Sequence, residues 1–265
     1  MYRIFHVLFL LLGSLCLFIA DTLAQQSGTI KVLSYNVHHC NPPAHPGHID
    51  VEAIAGVIRK SGADLVGLQE IDVHTDRSGK ALNQAAELGR LTGMYPYFAK
   101  AIDYQGGEYG VALLSKFPII DSFRFSLPMD ERLNGEARVI GAIRIHVPGF
   151  GDLLFGNTHL DLAEAHQLLQ VDYIIDKSRE VSIPLVLTGD FNAEPGSTVM
   201  ERLDRYFIRA GKAGAASFTY PATEPDRAID FIFHGKNDPF EVLTYDVIDD
   251  RYASDHRPVF AELGF

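Results

Sequence analysis

Residues 183–196 read IPLVLTGDFNAEPG, an apolar run that passes through a glycine into an acid and an amide. Residues 184–187 have the length and composition of a strand buried on both faces, and Gly189 lets the backbone turn tightly before Asp190. The polar residues therefore stand at the carboxyl end of a core strand. Positions i and i+2 of an extended segment share a face, so Asp190 and Asn192 offer a carboxylate oxygen and a neutral amide to one point. A phosphate with its divalent cation fits such a pair. The competing reading is structural, with Asp190 capping a helix that begins near Ser197.

Working outward, the same arrangement recurs. Residues 29–37 (TIKVLSYNV) form a core strand with Asn36 at its end, and residues 63–71 (ADLVGLQEI) form a second, with Glu70 at the tip beside Gln69. An acid there is costly unless it has a cation or a partner. Residues 97–114 read as a hairpin about Gln105, Gly106 and Gly107, its return strand opening with Glu108 and Tyr109. A further strand, 119–127, precedes a polar excursion, and a second hairpin over 138–157 runs directly into Thr158, His159, Leu160 and Asp161. Residues 228–233 place Asp230 inside an apolar strand, and 257–263 follow Ser254, Asp255 and His256. Helices are expected over 50–59, 83–92, 163–179 and 198–207. Strands outnumber helices and no repeat or linker divides the chain after residue 28. The pattern predicts one α/β domain over residues 28–265, a four-layer α/β/β/α sandwich of two mixed sheets with outer helices.

Composition supports a globular core, with 47% hydrophobic and 22% charged residues among 265. Residues 1–24 differ: Arg3 precedes an apolar run over 4–20, and Thr22, Leu23 and Ala24 offer the small residues of a cleavage site. They are expected to be a removed secretion signal, giving a secreted or periplasmic protein. A retained membrane anchor is the alternative, and the bulky Leu15 makes Cys16 a poor lipid-attachment site. Removal of the leader would leave Cys40 alone, without an intramolecular disulfide. The formal charge of -11 and the lack of a Lys/Arg cluster argue against duplex nucleic acid as a partner, although a local metal can offset net charge. Four histidines lie in the 38–48 loop, but their irregular spacing among prolines favours a solvated, substrate-facing loop over a zinc site.

The motifs LSYNV, LQEID, GEYGVALLSKFPI, NTHLD, TGDFNAEP, AIDFIF and SDHRPV, in this order, resemble those of the endonuclease/exonuclease/phosphatase superfamily, whose members include deoxyribonuclease-I-like and sphingomyelinase-like enzymes. The resemblance spans essentially residues 30–265. It implies that Asn36 and Glu70 help to hold Mg²⁺, with Mn²⁺ or Ca²⁺ as alternatives, and that Asp255 is a metal-associated acid. It further implies that Asp190 and Asn192 sit beside the scissile phosphate and that His256 is catalytic, with Asp230 as its pairing acid. By the same resemblance His159 faces the substrate and Glu108 orients His159. In a strand Asp255 would point away from His256, which also favours Asp230 as its partner. Arg138 and Tyr109 are candidates for a further phosphate contact, a surface pair with a glutamate being the other reading of Arg138.

The expected chemistry is metal-dependent hydrolysis of a phosphoester by in-line attack of water, with His256 taking the proton. Acidity and secretion favour a small phosphoester or a membrane-lipid headgroup as substrate, acted on by a monomer. An extracellular nuclease is the runner-up, and a non-catalytic ligand-binding protein on the same fold is the alternative of another class.

Overall fold

The computed structural model describes residues 28–211 and 217–265. The expected leader, residues 1–24, lies outside the described residues. Two six-stranded sheets pack face to face. The first has the order β11 (Glu241–Val247), β12 (Val259–Gly264), β1 (Thr29–Asn36), β2 (Leu65–Val73), β4 (Gly107–Ser115), β3 (Tyr95–Tyr104). The second runs β5 (Ile119–Ser126), β6 (Val139–Val147), β7 (Gly151–His159), β8 (Leu185–Asp190), β10 (Asp230–Gly235), β9 (Phe207–Arg209). Each sheet holds one parallel pair, β1 with β2 and β7 with β8. A parallel pair needs a long crossover, supplied by helices α1 (Val51–Ser61) and α3 (Glu164–Arg179).

Alternation along the strands builds the layers. In β1, Ile30 and Val32 enter the core between the sheets, whereas Leu33 and Tyr35 pack outward against α1 and α2 (Gln84–Thr92). On the opposite side α3 and α4 (Thr198–Leu203) cover β8 and β10 through Ile174, Met200, Leu187 and Phe233. These are the four layers expected.

Helix ends follow local chemistry. Asp50 accepts from the Ala53 amide at 2.9 Å to start α1, and Gly62 closes it at φ 68°. Ser197 accepts from the Met200 amide at 3.3 Å to start α4, so Asp190 is not that helix's cap. The expected helix over 198–207 is shorter than its pattern. Phe207 is buried beside Phe233, and residues 207–209 join β10 as an edge strand, so burial of that side chain against the sheet wins over another helical turn. Among the described residues no helix is long and apolar enough to cross a membrane. Cys40 is a free, buried thiol.

Candidate metal-assisted catalytic site

Register gathers the polar residues. His159, Asp190 and Asp230 pair across three adjacent strands of the second sheet. In the first sheet Asn36 pairs with Gln69, and β12 runs antiparallel to β1, so the loop before it returns His256 to the same edge. Between the sheets, Asn157 accepts from Gln69 Nε2 at 2.6 Å and donates to the Leu68 and Ala112 carbonyls at 2.8 and 3.0 Å. A buried amide thus anchors β2 where its register with β4 slips between Leu68 and Ile71. Glu70 sits in this bulge at φ 60°, a conformation disfavoured for a residue with a Cβ. Residues strained in this way cluster at functional sites.

The side chains form one chain of contacts. Asn36 Nδ2 donates to Glu70 Oε1 at 3.1 Å and to Asp190 Oδ2 at 3.0 Å. Asp190 Oδ2 lies 3.8 Å from His256 Nε2 and 3.5 Å from His159 Nε2. His256 Nδ1 donates to Asp230 Oδ2 at 2.9 Å, and Asp230 is fully buried. Asp190, Asp230 and His256 also form the group of metal-capable side chains found among the described residues. No histidine of the 38–48 loop belongs to that group.

Charge in this buried row is strongly redistributed. Burial, then the Asp230 carboxylate, pushes Asp190 up to about 7. Burial alone would lower His256, but Asp230 above all, with Asp190 and Asp255, raises it to about 10. The ring thus favours its protonated form, with Asp230 at Nδ1 and Asp190 3.8 Å from Nε2. Burial, with Arg138 and His256 nearby, keeps His159 neutral by lowering it well below its ordinary value.

Asp190 and Asn192 do not meet by sharing a strand face. Asn192 turns into the left-handed region at φ 48°, its amide N–H donates to Asp190 Oδ1 at 2.9 Å, and its side-chain nitrogen contacts His159 Nε2 at 3.1 Å and the Leu160 carbonyl at 3.0 Å. Glu108 does not orient His159. It opens β4 at the outer end of the hairpin, where it pairs with Lys100 at 3.0 Å, while His159 Nδ1 is buried without a partner. Arg138 is only 8% exposed, whereas its 3.0 Å partner Glu136 is 42% exposed, so the pair joins a buried guanidinium to a carboxylate at the surface. Arg138 lies near Tyr109, whose hydroxyl is raised by burial and the Glu70 charge. Asp255 is half-buried next to His256 and lies outside the metal-capable group.

Tyr220 had no signal in the sequence that tied it to the site. Its ring lies 4.7 Å from that of His256, with the Arg227 guanidinium 4.6 Å from the tyrosine centroid. Only the fold brings it there.

An acid, amide and histidine row at one edge of two packed mixed sheets defines a phosphoesterase fold. The profile of the Endonuclease/Exonuclease/phosphatase family matches residues 33–256, and the chain belongs to that family. A family protein from Bacteroides thetaiotaomicron superposes with a TM-score of 0.75 at 21% identity, over 91% of this chain and 99% of that one. A mannosyl-6-phosphatase from Bacteroides thetaiotaomicron VPI-5482 gives 0.72 at 21% identity, over 89% and 100%. A family protein from Beutenbergia cavernae DSM 12333 gives 0.72 at 24% identity, over 89% and 71%. No curated protein matches the chain in sequence.

Proposed function

We propose that this chain is a divalent-metal-dependent phosphoester hydrolase of the phosphodiesterase type, exported by its N-terminal segment and acting on a small or lipid-headgroup phosphoester. The observation that carries the reading is the contact chain from Glu70 through Asn36, Asp190 and His256 to Asp230. No structural role requires three buried or half-buried carboxylates around one histidine, whereas a phosphoryl-transfer site does.

The residues fit a hard cation. Glu70 and Asp190 share one neutral amide donor, and Asp230 Oδ1 is buried without a partner, so the row carries oxygen ligands in excess of its donors. Glu70 and Asn36 would hold the ion, with Asp255 acting on it from further out. Mg²⁺ is the first choice, Mn²⁺ or Ca²⁺ the alternatives. When bound, the ion supplies charge stabilisation at the phosphoryl oxygens.

The protein's own groups move the proton. His256 is raised toward its protonated form, so the Asp190 oxygen, 3.8 Å from its Nε2, is the better acceptor for a proton from the attacking water. This shifts the base from His256 alone to the pair. His256, held at Nδ1 by Asp230, would place positive charge beside the developing phosphorane, and His159, neutral with Nε2 accepting from Asn192, would line the other flank of Asp190. Asn192 orients His159, and Arg138 with Tyr109 would grip the phosphate.

Hydrolysis of a panel of phosphodiesters and phosphomonoesters, assayed with Mg²⁺ and with chelator, tests the reading. Mg²⁺-dependent turnover of a small ester supports it. Activity confined to DNA and lost steeply with salt would make the protein a nuclease, and no turnover of any ester would leave a binding protein.

A further inference from the structure

Between β5 and β6 the chain crosses residues 127–138 with no helix or strand, and its last residues deliver Glu136 and Arg138 to the edge of the site. Arg138 is buried, ion-paired with Glu136 at 3.0 Å beside Tyr109, and its Nε has no partner. Immobilising such a long side chain is entropically costly, and an irregular segment does not fix it unaided. The Leu127 amide donates to the Arg138 carbonyl at 2.8 Å and fixes its main chain, so the course of its side chain is left to what holds the rest of the loop.

Two buried residues outside the contact chain do so. Asp161 Oδ1 accepts from the Ala163 amide at 2.9 Å, at the start of α3. Its other oxygen, Oδ2, accepts from the Glu136 amide at 3.0 Å and lies 3.5 Å from His166 Nδ1. His166 is 0% exposed and its Nε2 donates to the Asp130 carbonyl at 3.2 Å. Gly135 is wedged against both: a Cβ there would stand 2.5 Å from His166 Cε1 and 2.7 Å from Asp161 Oδ2. Positions 130, 135 and 136 are thus all held by one acid and one imidazole, and among the described hydrogen bonds neither touches Glu70, Asp190 or His256.

We propose that Asp161 and His166 are positioning residues, a latch that sets the 127–138 loop so that Arg138 grips the substrate phosphate. The proposal rests on the phosphoester reading above. The two oxygens of Asp161 do different jobs, which makes the latch separable from the fold. In Asp161→Asn the remaining oxygen can still accept from Ala163, but an NH₂ group then faces the Glu136 N–H, donor against donor.

The experiment compares Asp161→Asn, Arg138→Ala and the double variant. Asp161→Asn is expected to raise KM for the hydrolysed ester on the order of tenfold with kcat changed by less than about threefold, and to have no further effect once Arg138 is gone. An equal effect of Asp161→Asn in both backgrounds, or no effect in either, overturns the latch. Should no ester be turned over, the phosphoester reading fails by itself, and the latch is read by amide exchange. Exchange at Glu136 should then be accelerated in Asp161→Asn with α3 amides unchanged, and unaltered protection at Glu136 overturns it. If Asp161→Asn does not fold, Gly135→Ala attacks the same contact from the loop side and carries the same expectations.

Discussion

Asn36 Nδ2 donates at 3.0 Å to Asp190 Oδ2, so a single amide joins the end of a strand in one sheet to the end of a strand in the other. The same nitrogen holds Glu70 at 3.1 Å, which makes Asn36 the spacer between two carboxylates. Its removal takes the donor from Glu70 and one donor from Asp190, which keeps the Asn192 amide at Oδ1, and leaves the two carboxylates unseparated. Asn36→Ala is expected to cost about 1–3 kcal/mol of stability in chelator and to lower turnover by on the order of 10²-fold, as a mispositioned site does. Asn36→Asp adds a fourth acid to the row, so it should be the less stable protein without metal yet regain more thermal stability on adding Mg²⁺. Thermal melts of the three proteins with and without Mg²⁺ check this ordering. A wild-type response from both variants would remove Asn36 from the site.

Glu108 is expected to matter little. Its carboxylate is 41% exposed and paired with Lys100, an arrangement worth at most a fraction of a kcal/mol in solvent. Glu108→Gln should keep the rate within about twofold of wild type and the stability within about 0.5 kcal/mol. A hundredfold loss of rate would show that the carboxylate swings inward to His159 during turnover.

The direction of the pKa shifts fixes a pH dependence. His256 moves from 6.5 to about 10 in the folded protein, so the stability it contributes is complete below 6.5 and is lost as the pH rises through the folded value. Asp190, raised from 3.8 to about 7, has the same sign: the folded state binds more proton across that window and loses stability as the pH rises through it. In chelator, the thermal midpoint should fall between 6.5 and about 10, and His256→Gln should flatten that fall. Mg²⁺ is favoured beside a site that has lost these protons, so the midpoint gained by adding it should grow with pH over the window. A stability profile that rises with pH in chelator would contradict the imidazolium assignment.

Most of the architecture was legible because strand alternation and helix caps are local. Ile30 and Val32 against Leu33 and Tyr35 announce a strand buried on both faces, and Asp50 and Gly62 bracket α1. The strand-end position of Asn36, Glu70, Asp190 and Asp230 could likewise be read, since each closes or opens an apolar run. Partnerships were a different matter. Glu108 looked close to the site from its place in GEYGV, but the register puts it opposite Asp103 at the far end of the hairpin. The bulge that turns Glu70, the Asn157 amide that crosses between sheets and the Tyr220 ring on His256 depend on which strands become neighbours, and no local pattern encodes that. The segment 207–209 misled the helix pattern for the same reason, because the β10 edge that captures it lies two dozen residues on.

Asp230 and His256 come from separate motifs and form the most selective test of the mechanism. Asp230 Oδ2 holds Nδ1 at 2.9 Å, leaving Nε2 turned to Asp190 and the phosphate position. Replacing the acid with Asn keeps the volume, yet the carboxamide neither stabilises an imidazolium nor fixes the tautomer. Removing the Asp230 charge also takes away the second-largest influence that raises Asp190, so the paired acceptor should become less basic. Asp230→Asn is therefore expected to cut turnover on the order of 10²–10⁴-fold while KM and the Mg²⁺ concentration for half activity change by less than about threefold. Its stability should fall far less than its rate, and the fall of stability with pH in chelator should shrink, because His256 no longer gains its raised affinity for a proton. Turnover, metal titration and melts across pH on the same preparation separate these effects. Equal losses in metal affinity and rate would mean that Asp230 serves the ion, and an unchanged rate would take His256 out of the proton transfer.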